Sequence, residues 1–119
     1  MIRLLALALA AATLVACSSA PDGVVVEMLD NRFAPQDVTV PAGTEVTFVG
    51  AGRNPHNAVA ADDSWSTEDV FGSLTQMEGD AATLTFDEPG TYLFFCTFHG
   101  NAEGDGMAGT LTVVPAEES

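Results

Sequence analysis

The chain has 119 residues, 17 of them acidic against three arginines and no lysine, for a formal net charge of −14. Such a surface repels a phosphate backbone and excludes nucleic-acid binding, while the length holds one domain and excludes a multidomain enzyme. With 47% hydrophobic residues and seven Phe, the chain has material for a core and is no disordered acidic tail.

The first segment in chain order reads as an address rather than a structural element. Met1-Ile2-Arg3 brings one positive charge, and residues 4–16 follow without any. That run is shorter than the roughly 20 apolar residues that span a bilayer and fits the apolar region of a secretory signal peptide. Its end, Leu14-Val15-Ala16-Cys17, resembles the lipobox of bacterial lipoproteins. The resemblance implies a signal peptide over residues 1–16, removed before Cys17, whose sulfur is then diacylated. Two acyl chains suffice for stable anchoring, so the expected location is extracytoplasmic, lipid-anchored to the bacterial cell membrane. Residues 17–23 form the lipidated Cys and a short polar tether. The acidic balance would repel anionic head groups. It suits a basic partner protein whose encounter charge accelerates, and equally a simple demand for solubility. No signal points to an oligomer, so a monomer is expected.

The strands follow. Residues 24–29 are a β-branched run. Residues 37–40 alternate, with Val38 and Val40 on one face, and Pro41-Ala42-Gly43 is a turn. Residues 44–49 alternate again with Val46 and Phe48 inward, and residues 82–86 turn Leu84 and Phe86 inward. After the turn at Glu88-Pro89-Gly90, residues 91–96 place Tyr92, Phe94 and Cys96 on one face, because side chains alternate with period two. Residues 109–114 close the domain with Leu111 and Val113 inward.

Residues 61–80 break the pattern. They are long and alternate little, with Ser66 and Asp69 spaced as a helix N-cap and its third residue. At most one short helix is expected there, pinned by Trp65 and Phe71. Short strands punctuated by Pro/Gly turns predict an all-β, Greek-key antiparallel β-sandwich over residues 24–115. Residues 116–119 read as an acidic tail.

The chain has two Cys. With Cys17 lipidated, Cys96 stands alone in an oxidising compartment, where a free thiol is a liability unless something occupies it. Its neighbours supply the occupant. Cys96-Thr97-Phe98-His99 and Gly106-Met107-Ala108-Gly109 flank one loop, so thiolate, imidazole and thioether lie close in sequence. The other histidine, His56, follows the Asn54-Pro55 turn, and a Greek-key fold can bring that turn beside the last loop. Soft sulfur donors with imidazoles favour copper; two His and one Cys with a weak axial Met form an electron-transfer copper site. Hard cations would want carboxylates, and zinc gains little from Met. Of the other methionines, Met28 is expected in a strand core and Met77 in packing.

Over residues 24–114 the chain resembles the cupredoxins, in the plastocyanin, pseudoazurin and halocyanin group of small blue copper proteins. The residues that carry the resemblance are Phe33-Ala34-Pro35, Val40-Pro41-Ala42-Gly43-Thr44, Pro55-His56-Asn57, Gly90-Thr91-Tyr92, Cys96-Thr97-Phe98-His99 and Gly106-Met107-Ala108-Gly109. It implies one type 1 copper ion, with His56, Cys96 and His99 as equatorial ligands and Met107 as axial ligand. It also implies that Asn57 and Thr97 tie the two ligand loops together. One departure stands out: residues 100–106, between His99 and Met107, make a longer and more Gly-rich loop than typical plastocyanins carry, which puts the axial bond in doubt.

The implied function is single-electron transfer, not enzymatic turnover, with His99 as the port and Phe98, Ala108 and Ala51 as apolar neighbours. The alternative is a copper carrier or storage lipoprotein with no electron-transfer role. A copper oxidase or nitrite reductase needs further His for additional metal centres, and both His are already used.

Overall fold

The computed structural model describes residues 21–116. The expected signal peptide, Cys17 and most of the tether and acidic tail lie outside those residues. Eight strands and one short helix follow in order: β1 (Val24–Leu29), β2 (Arg32–Ala34), β3 (Asp37–Pro41), β4 (Thr44–Gly50), β5 (Val59–Ala60), α1 (Glu68–Phe71), β6 (Ala81–Phe86), β7 (Gly90–Gly100) and β8 (Gly106–Val114). They build two four-stranded sheets, ordered β2-β1-β4-β6 and β3-β8-β7-β5.

The sandwich is as expected, but its sheets are mixed rather than antiparallel. β1 runs parallel to β4, with Val26 opposite Phe48, and β3 runs parallel to β8, with Val40 opposite Val113. Each parallel pair joins strands separated by a crossing to the other sheet. Alternation within a strand fixes which face is apolar, and says nothing of the neighbour's direction.

The inward faces are the expected ones, except that Tyr92 is only half-buried against the core. Val26, Met28, Val38, Val40, Val46, Phe48, Leu84, Phe86, Phe94, Leu111 and Val113 are all buried. Aromatic rings knit the two layers. Phe94 meets Phe33 edge-on at 4.7 Å and Phe48 at 5.7 Å between centroids. Trp65 packs edge-on against Phe86 at 5.0 Å. Edge-on pairs of this kind add to the area they bury.

Residues 61–80 carry α1, the one helix among the described residues. Ser66 Oγ accepts the Glu68 N–H at 3.1 Å, and Asp69 Oδ2 accepts the Ser66 N–H at 3.0 Å. Those bonds brace the turn ahead of α1, whose N-cap is Thr67, without a side-chain cap hydrogen bond, rather than the expected Ser66. Trp65 pins the segment to the core, but Phe71 is only half-buried and α1 buries no residue at all. Four helical residues are too few to turn one face inward. Met77 departs from expectation too: its side chain is exposed rather than packed.

Candidate metal centre

One end of the sandwich gathers the soft donors. Cys96 lies on the inward face of β7 and is fully buried. His99 follows three residues later, where β7 leaves its regular register: the ladder to β8 shifts between Phe95 and Gly100. A bulge adds residues on one side and re-aims side chains. Here it turns His99 back toward Cys96, and the His99 Nδ1 stands 3.7 Å from the Cys96 Sγ.

His56 arrives from the loop before β5. Its backbone pairs with Gln76 through two 3.0 Å hydrogen bonds. The Gln76 side chain is buried and donates to the Phe48 carbonyl at 3.1 Å. The 61–80 segment therefore forms the wall behind His56. His56 is fully buried, and its Nδ1 stands 3.8 Å from the Cys96 Sγ, 40 residues away in sequence. The two imidazole rings lie 5.0 Å apart. The donor atoms of His56, Cys96 and His99 all fall within 4.8 Å of one another. Met107, at the start of β8, is fully buried at the same end.

The spacing suits one ion. Bonds of about 2.3 Å to sulfur and about 2.05 Å to nitrogen, the zinc values, subtend roughly 3.6 Å at a tetrahedral angle and roughly 3.8 Å at a trigonal one. The observed sulfur–nitrogen separations lie in that range, toward the trigonal end. Thiolate, two imidazoles and a buried thioether are a copper set by softness.

Asn57 and Thr97 hold the two loops together. Asn57 Nδ2 donates to Thr97 Oγ1 at 2.8 Å, and the Thr97 N–H donates to Asn57 Oδ1 at 2.8 Å. The longer stretch between His99 and Met107 is a closed hairpin rather than a slack loop. Gly100 pairs with Gly106, and Asn101 Oδ1 accepts the N–H groups of Glu103 and Asp105, each at 3.1 Å. Gly106 adopts φ 71°, and a Cβ there would collide with the His99 carbonyl. Beside His99, Phe98 is exposed, while Ala108 is buried and takes no part in an apolar surface. Ala108 lies in the β8 ladder opposite Phe95.

Sequence reading missed two residues at this site. Gln76 is one. The other is Asp30, at the tip of the β1–β2 hairpin, whose Oδ1 accepts the His56 Nε2–H at 3.0 Å. The N–H groups of Asn54 and Arg53, and then the His56 hydrogen bond, hold the Asp30 carboxyl down to about 2 from its ordinary 3.8. An Asp-Asn pair between Leu29 and Arg32 is the turn signal that locates the hairpin. Nothing local marks its reach to His56.

A two-sheet β-sandwich that gathers one Cys, two His and one Met at its end is a cupredoxin with a type 1 copper site. The family of copper binding proteins called plastocyanin/azurin matches residues 23–114, and the chain belongs to that family. A chloroplastic plastocyanin of Physcomitrium patens is 38% identical over 86 residues, covering 68% of this chain and 49% of that protein. The plastocyanin of Scenedesmus fuscus is 36% identical over 86 residues, covering 68% of this chain and 85% of its own length. The chain thus spans about half the length of the Physcomitrium patens relative and most of the Scenedesmus fuscus one. Among solved structures, a purple cupredoxin from Nitrosopumilus maritimus shares the fold with a TM-score of 0.61 at 22% identity, over 76% of this chain and 99% of that one. Amicyanin from Paracoccus versutus gives 0.56 at 25% identity, over 77% and 81%. A copper-containing nitrite reductase from Thermus scotoductus gives 0.64 at 25% identity, over 80% of this chain but only 23% of that one.

Proposed function

We propose that the protein is a one-electron carrier whose type 1 copper ion is held by His56, Cys96, His99 and Met107. The observation that carries this reading is the approach of the two Nδ1 atoms to one buried sulfur. When bound, copper supplies a one-electron couple between its two common oxidation states. The chain supplies donors fixed in advance. Cys96 and His56 are buried, and the Asn57–Thr97 pair locks their loops, so little needs to move as the electron comes and goes.

His99, half-buried beside exposed Phe98, is the port through which a partner exchanges the electron. Encounters of this kind are brief and use small interfaces. The partner is a basic redox protein, in keeping with the net charge of −14. The domain works outside the cytoplasm as a monomer, tethered through lipid on Cys17. No helix among the described residues is long and apolar enough to cross a membrane.

Adding copper(II) to the purified metal-free protein tests the reading. The expected result is an intense visible thiolate-to-copper band with one equivalent bound, abolished by Cys96→Ser. Stoichiometric copper uptake without colour would overturn electron transfer in favour of a carrier or storage role.

A further inference from the structure

Asp30 touches the candidate centre from outside. Its Oδ1 accepts the His56 Nε2–H at 3.0 Å and the Asn54 N–H at 2.9 Å, while its Oδ2 accepts the Arg53 N–H at 3.0 Å. Both backbone donors belong to the loop that leads into His56. Gly52, in the same loop, lies so close that a Cβ would collide with the Asp30 carboxylate. The carboxylate is thus seated in a fitted backbone cradle, and the ring it holds presents its other nitrogen to Cys96. His99 has no carboxylate partner of this kind among the described residues.

We propose that Asp30 is a positioning residue that sets the reduction potential of the copper site through His56. This inference rests on the copper reading above. A carboxylate can only accept, so it places the single proton of the neutral ring on Nε2. The Nδ1 lone pair is then left facing the sulfur, as a ligand requires. Carboxylate–histidine–metal lines of this kind fix the tautomer and raise the basicity of the ligand.

Reduction removes one positive charge from the site. A nearby negative charge therefore favours the oxidised state. The Asp30 side chain is 36% exposed, so water screens it and the effect is modest. A tenfold change in the redox equilibrium is the expected size, which for a one-electron couple is about 59 mV.

The experiment compares wild type with Asp30→Asn, and with Asp30→Ser as a second variant of smaller side chain. Two readouts are taken. The first is the ring ¹⁵N shifts of His56 in metal-free protein, which report the tautomer. The second is the potential of copper-loaded protein at neutral pH and fixed ionic strength.

The expected wild-type tautomer carries its proton on Nε2. Both variants should keep the visible band while the equilibrium moves about tenfold toward the reduced state. An unchanged potential in a variant that keeps the band overturns the proposal, as does a wild-type His56 protonated on Nδ1. A wild type that takes up copper without colour sinks the copper reading instead, and the tautomer still decides the positioning role of Asp30.

Discussion

Asn57→Ala tests whether the two loops that bring the donors together hold each other in place before any metal arrives. Asn57 is fully buried and makes two 2.8 Å hydrogen bonds with Thr97, one in each direction. Each bond contributes about 1 kcal/mol net. Thr97 is exposed, so water can reach its abandoned N–H and hydroxyl, and the desolvation penalty of a stranded buried donor is largely avoided. The truncation also leaves a small void where the amide stood. The loss should therefore be about 2–3 kcal/mol, below the cost of stranding both partners in a dry core. For a domain of this size that lowers the melting temperature by roughly 10–20 °C. Thermal unfolding of the metal-free protein measures it directly. A loss below about 0.5 kcal/mol would show that the ladder positions His56 and Cys96 unaided, and the reasoning would fail.

The other two expectations concern packing and pH. Gly109→Ala should destabilise by about 2–3 kcal/mol in denaturant unfolding, since the added methyl would press on the Gln36 carbonyl and the buried Phe94 ring, and backbone cannot step aside. The Asp62 carboxyl is held below its ordinary 3.8 by the Ser64 hydroxyl and then by the Ser64 N–H. Its contribution to stability is therefore complete above pH 3.8 and is lost as pH falls through the lower folded value. Asp62→Asn should flatten that acid limb in a series of unfolding curves, and leave stability near neutral pH slightly reduced.

How far the sequence was legible follows from the range of each signal. Alternation has a period of two and is local, so Val46, Phe48, Leu84, Phe86, Leu111 and Val113 could be placed inward without knowing any neighbour. Strand order is not local. The parallel pairing of β1 with β4, and of β3 with β8, depends on crossings that no single stretch records. β2 and β5 hold three and two residues, too few for any pattern to emerge. The donor set was visible because Cys96, His99 and Met107 are rare residue types clustered around one loop. Asp30 was hidden for the opposite reason. It is one acid among 17, and its contact with His56 spans 26 residues.

The stretch between His99 and Met107 shows why counting residues misjudges freedom. Read as a string, its Gly-rich length suggests an axial donor on a slack tether. In the fold its ends are clamped by the Gly100–Gly106 pair, and Asn101 gathers the turn from within. Residues added between clamped ends project outward and cost little, because closure entropy grows only slowly with loop length. What places Met107 is the register beyond the clamp, where Ala108 faces Phe95 and Gly109 faces Phe94. Gly109 is itself wedged between the Gln36 carbonyl and the Phe94 ring, so β8 cannot slide to carry Met107 away. Slack in a binding loop is therefore a property of the ladder on either side of it, and a longer loop on this ladder leaves the thioether where a shorter one would.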